Sequence, residues 1–151
     1  MKKLLFASIL FSSAFCLKSE AQESVAFPKG EISTTDIHTG TIWLSEFSKP
    51  DSILNFSVAM ETYAPESKLD WHIHPAGQIL LITKGMGYYQ EEGKPAQIIH
   101  KGDVIRCLPG VPHGHGSSPG NSFAYIAFTP AQKGRTIWLK RLTEAEYHAA
   151  K

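Results

Sequence analysis

From Thr41 onward the chain is a succession of short apolar or alternating runs, each closed by a turn. The runs fall at 42–47, 55–63, 68–74, 78–83, 87–90, 97–100, 104–107, 113–117 and 122–128. In the second of them Phe56, Val58 and Met60 alternate with Ser57, Ala59 and Glu61, the period-two pattern of a strand with two unlike faces. Pro65, Gly77, Gly85, Gly93-Lys94-Pro95, Gly102-Asp103, Pro109-Gly110 and Pro119-Gly120-Asn121 punctuate the series. So many short strands at such close spacing predict an all-β antiparallel sandwich or barrel. One helix signal stands apart, at 143–149. Thr143 can serve as N-cap, Glu144 and Glu146 lie in the first turn, and Thr143 with Glu146 has the spacing of a capping box. A last strand is expected just before it, at 137–142.

The start of the chain has a different character. Lys2 and Lys3 precede an apolar run from Leu4 to Leu17, and Ser19-Glu20-Ala21 offers small residues where a signal peptidase reads. Residues 1–21 therefore read as a secretory signal peptide cleaved before Gln22, and the protein is expected to be exported, to the periplasm or the medium. The apolar run falls short of the ~20 residues that span a bilayer, so no stable membrane anchor is expected. Residues 22–40, with Pro28, Gly30 and Gly40, read as an extended arm, and 41–151 as a single domain.

Charge narrows the partners. The formal net charge of the 151 residues is +1, with no basic patch suited to nucleic acid and no run of like charge. Cys16 leaves with the signal peptide, so Cys107 stands alone and no internal disulfide can form. Cys107 reads as a buried structural cysteine rather than a catalytic thiol, because it lies inside a strand with no separate base beside it in sequence.

Four histidines form two close pairs, His72 with His74 and His113 with His115. On a strand, residues i and i+2 share a face, so each pair presents two imidazoles side by side. Gln78 follows His74 past the Pro75-Ala76-Gly77 bend and can return toward the same space. Imidazole nitrogen and amide oxygen suit first-row divalent metals. His38, His100 and His148 have no such neighbours and read as surface or core-edge residues. Trp43, Tyr63, Tyr88 and Phe123 read as core or pocket lining.

The stretch Trp71-His72-Ile73-His74-Pro75-Ala76-Gly77-Gln78, with Gly85 beyond it, resembles the first cupin motif. The stretch Gly102-Asp103-Val104-Ile105-Arg106-Cys107-Leu108-Pro109-Gly110-Val111-Pro112-His113 resembles the second. The resemblance implies a cupin jelly-roll β-barrel with a short C-terminal helix and an internal metal held by His72, His74, Gln78 and His113. Over residues 41–147 the chain is similar to small bacterial cupins that include manganese-dependent hydroxynitrile lyases of the (R)-mandelonitrile lyase type. That likeness implies manganese, with iron or zinc as other candidates, a small-molecule substrate, and cleavage of a cyanohydrin to a carbonyl compound and cyanide. It also implies a homodimer, and a proton-transfer role for His115.

The sequence departs from the family at four places. Gln78 stands where a glutamate is usual, so the ligand set carries no charge and leaves the ion its full +2. Such a site attracts anions or acidifies a bound hydroxyl. Leu108 replaces a common proline, Leu69 a threonine, and Tyr125 a further active-site histidine; a phenol can hydrogen-bond but is a poor base at neutral pH. From the residues alone, His115 remains open as base, fifth ligand or packed bystander. An iron-dependent cupin dioxygenase and a non-catalytic small-molecule-binding cupin are the rival readings of the whole.

Overall fold

The computed structural model describes residues 27–149. The expected signal peptide and the start of the arm lie outside the described residues. Among the described residues twelve strands form: β1 Glu31–Ile32, β2 His38–Thr39, β3 Ile42–Ser48, β4 Phe56–Tyr63, β5 Lys68–Leu69, β6 His72–Ile73, β7 Gln78–Glu91, β8 Gln97–His100, β9 Val104–Cys107, β10 His113–Ser117, β11 Phe123–Pro130 and β12 Ile137–Trp138. One helix follows, α1 Glu144–His148. All strand pairings are antiparallel, and the sheet curls into the predicted jelly-roll barrel.

The long strand β7 is the hinge of the architecture. Its first half lies between β11 and β9 in one sheet. Its second half lies between β8 and β10 in the other. The sequence reads 78–83 and 87–90 as two strands parted by a turn at Gly85; the structure joins them. Gly85 is a bend inside the strand, at φ +71°, where a side chain's Cβ would sit 1.7 Å from the Ser122 carbonyl oxygen. Two expectations are shortened. The run 68–74 breaks at Asp70 and Trp71, whose backbones bond to Ile37 and Lys140 instead of continuing the ladder. The run 137–142 keeps its ladder only at β12, and Leu139 then donates to the Trp71 carbonyl. The helix forms where expected. Thr143 Oγ1 accepts from the Glu146 backbone and the Glu146 carboxylate accepts from the Thr143 backbone, a complete capping box.

The core lies between the two sheets: Ile42, Tyr63, Leu69, Leu80, Ile82, Tyr89, Ile99, Cys107, Phe123, Tyr125 and Ala127. A second cluster of Trp71, Leu142 and Tyr147 fastens the C-terminal segment to the outside of the sheet. It is reinforced by the buried Lys68 ammonium, which pairs with the Glu144 carboxylate below the Tyr147 ring. No helix among the described residues is long and apolar enough to cross a membrane.

Candidate metal centre

The sequence His113-Gly114-His115-Gly116-Ser117 forms all of β10. Alternation turns His113 and His115 into the barrel and Gly114 and Gly116 outward. The glycines are what permit the outer packing. A Cβ on Gly116 would meet the Ser67 carbonyl oxygen at 2.5 Å, and one on Gly114 would meet a Leu142 methyl at 3.2 Å. β6 lies antiparallel to β10 with His72 opposite His113. His74 follows at the end of β6, and Gln78 opens β7 across the bend at Gly77.

These elements bring the three imidazoles of His72, His74 and His113 together. Ring centroids are 4.3 Å apart for His72 and His113, 5.0 Å for His72 and His74, and 5.4 Å for His74 and His113. One ring nitrogen from each lies within 4.8 Å of the others, a grouping that can hold a metal ion. Backbone carbonyls set the tautomers. Nδ1–H of His72 donates to Asp70 at 2.8 Å, and that of His113 to Val111 at 3.0 Å. Nδ1 of His74 meets the Thr136 hydroxyl at 3.2 Å. For His72 and His113 the lone pair is thereby left on Nε2. Nε2 of His74 and of His113 is buried and finds no hydrogen-bond partner among the described residues. A buried polar atom without a partner is costly, so such atoms call for a ligand. A divalent ion fits this donor set.

The electrostatics agree. Burial lowers the pKa of all three rings, and the like charge that His113 would carry lowers His72 and His74 further; His74 falls to about 4. All three are neutral at pH 7, the form that binds metal.

Gln78 lines the same cavity as His72 and His74. Its amide nitrogen donates to the Thr129 hydroxyl at 2.8 Å, and its oxygen receives a weak contact from the Cys107 thiol at 3.8 Å. The oxygen is the atom left for a ligand role. Cys107 is buried, and burial pushes its thiol up to about 12, which leaves it protonated and inert. His38 is half-buried against Ser33, and His100 is exposed.

His115 is buried beside the three-histidine group, its centroid 5.2 Å from His72, and neither ring nitrogen has a hydrogen-bond partner among the described residues. Burial and the neighbouring imidazoles hold its pKa well below the ordinary value. Tyr125 packs edge-on against it at 5.3 Å. The Tyr125 hydroxyl turns to Tyr63 and Glu61, at 2.6 and 2.7 Å. Burial raises its pKa well above the usual phenol value, so it acts as a hydrogen-bond donor and not as a base.

These residues line a cavity of about 190 Å³. Its wall includes Ser57, Ala59, Glu61, Leu69, Trp138 and Thr136 as well as His72, His74 and His115. Trp138 packs against His72 with the rings tilted and their centroids 4.9 Å apart. An outer basin of about 630 Å³ shares Ser57, Thr129 and Thr136 with it and carries Lys49 and Arg135. Sequence reasoning missed Glu61 altogether and read Tyr63 only as lining. On β4 the face bearing Ser57, Ala59 and Glu61 looks solvent-like, yet it is the face turned into the barrel. The signal available was parity, since Glu61 shares its face with Tyr63.

Comparison with known proteins settles the family. The cupin domain profile matches residues 59–126. An (R)-mandelonitrile lyase from Granulicella tundricola is 35% identical over 114 residues, which span 74% of this chain and 86% of that protein. The chain is a cupin. Among solved structures, this cupin is similar to a cupin-like protein from Thermotoga maritima, at 37% identity and TM-score 0.81, over 83% of this chain and 96% of that one. The polyketide cyclase from Streptomyces resistomycificus shares the fold at 15% identity and TM-score 0.54, over 81% of this chain and 82% of that one.

Proposed function

We propose that this cupin is a metal-dependent carbon–carbon lyase of hydroxynitrile-lyase type, which splits a small cyanohydrin into a carbonyl compound and cyanide. The observation that carries the reading is a partner-free His115 next to three imidazoles whose ligand nitrogens converge, with His115, His72 and His74 opening on one small cavity. The likeness to a mandelonitrile lyase supports it. The volume supports it as well. Pockets for drug-sized ligands begin at ~300 Å³, so this one suits a compact substrate.

His72, His74 and His113 would hold the ion through nitrogen, with Gln78 Oε1 as the fourth ligand; manganese is the candidate, ahead of iron or zinc. When bound, the ion supplies Lewis acidity to the substrate hydroxyl. His115 takes that hydroxyl's proton, its neutral imidazole having one free acceptor nitrogen. Trp138 and Leu69 wall off water and position the substituent on the carbinol carbon. Because Gln78 adds no charge, the cavity stabilises the alkoxide and the departing anion better than a glutamate in its place.

The test is cleavage of mandelonitrile by the purified protein loaded with manganese. His115→Ala is expected to keep its metal and lose ~10²–10⁴-fold in rate. Full activity in that variant contradicts the base role; no cleavage by the wild type with manganese, iron or zinc contradicts the lyase reading.

A further inference from the structure

Glu61, Tyr63 and Tyr125 form a closed triangle of oxygens at the wall of the cavity. Tyr63 Oη lies 2.6 Å from Glu61 Oε2, Tyr125 Oη lies 2.7 Å from the same Oε2, and the two phenol oxygens lie 2.6 Å apart. Three short oxygen–oxygen contacts need three protons. The two phenols bring one each, and an ionised carboxylate brings none. With Glu61 ionised, one contact would press two lone pairs together at hydrogen-bond distance. A protonated Glu61 supplies the third proton and satisfies all three. No lysine or arginine among the described residues pairs with Glu61 to hold it charged. Burial raises its pKa, against the opposing pull of the two phenols and of His38.

The placement gives this acid a task. Glu61, Tyr125 and His115 line one cavity with His72 and His74. A cyanohydrin there must lose one proton from oxygen and gain one at the leaving carbon. We propose that Glu61 is the proton donor of the site, a neutral carboxylic acid braced by Tyr63 and Tyr125, whose proton turns out of the triangle, giving up its contact with a phenol oxygen, to protonate the departing carbon while His115 removes the hydroxyl proton. The proposal rests on the lyase reading for its substrate but not for the state of Glu61. The O–H and C–C bonds break, the carbon–oxygen double bond and a C–H bond in hydrogen cyanide form. The enzyme is left with His115 protonated and Glu61 ionised. The Glu61 carboxylate is then held by the two phenol donors, and the proton on His115 returns to it through water as product leaves. This makes Tyr125 a positioning residue for Glu61 rather than a replacement base.

Infrared spectroscopy and kinetics of the full manganese-loaded protein test it. At neutral pH the wild type is expected to show the carbonyl stretch of a protonated carboxylic acid above the amide band, absent in Glu61→Gln. Tyr63→Phe, which keeps the carboxyl but removes one hydrogen bond, is expected to shift that band. With mandelonitrile, Glu61→Gln is expected to lower kcat by ~100-fold or more, with KM and manganese content unchanged. Absence of the wild-type band, or full kcat in Glu61→Gln, overturns the proposal. Failure of the wild type to cleave mandelonitrile overturns the lyase reading instead, and the band then judges the protonation of Glu61 by itself.

Discussion

Two glycines on one face of β10 are expected to answer the same substitution differently. Gly116→Ala places a methyl 2.5 Å from the Ser67 carbonyl oxygen, 2.7 Å from Lys68 Cβ and 2.8 Å from Lys68 Cα. Two of these are backbone atoms and cannot rotate away. Ordinary carbon contacts lie at ~3.5–4.0 Å, so β10 and β5 must part by roughly 1 Å. Overpacking of this kind costs ~1–3 kcal/mol, against a gain of ~0.5–1 kcal/mol from replacing glycine in a strand. A net loss of about 1 kcal/mol follows from the middle of these ranges. Gly114→Ala meets a Leu142 methyl at 3.2 Å and the Trp71 ring at 3.7 Å, contacts that a rotamer change relieves. It is expected to stay within ~0.5 kcal/mol of the wild type. Neither glycine has a left-handed backbone, so the contrast is purely steric. The assay is urea unfolding by tryptophan fluorescence with chelator present, so that metal binding does not mask the difference. With m near ~2 kcal/mol/M, the Gly116→Ala midpoint should fall by roughly 0.5 M. His113 and His115 ride on the displaced strand, so the same variant should bind metal more weakly. Equal losses in the two variants, or an unchanged Gly116→Ala, would refute the reasoning.

Native Cys107, with its thiol pushed up to about 12, should resist alkylation at neutral pH and react only after unfolding; rapid labelling of the folded protein would contradict its buried placement. In the chelated protein the histidines bind fewer protons folded than unfolded, so stability should be full above the unfolded value of 6.5 and fall as pH drops toward about 4. Thermal melts across that window should show the decline, and a flat profile would argue against buried neutral imidazoles. Thr143→Ala removes half of the capping box and should cost ~1 kcal/mol of local stability, seen as faster hydrogen exchange in α1.

Much of this architecture was legible in the residues. Short runs and their turns carried the all-β class, and Thr143 with Glu146 carried the helix, because both are local signals. Strand parity made the two pairs His72 with His74 and His113 with His115 legible, and the resemblance to the cupin motifs joined His72, His74 and His113 into one group. Less local features were hidden. Gly85 looks like a turn in sequence, and only its pairing opposite Phe123 shows it as a bend within β7. Glu61 was invisible because alternation separates two faces without saying which is inside, and a small, polar face normally meets water. Its role depends on Tyr63 and on Tyr125, 64 residues away from it, meeting at one oxygen.

The central claim is a metal ion held by His72, His74, Gln78 and His113 in the barrel. Elemental analysis of protein purified without added metal tests it most directly. About one divalent transition ion per chain is expected, falling sharply in His72→Ala and in His113→Ala while the fold persists. A protein that carries none, and gains none on exposure to manganese, iron or zinc, would contradict the account.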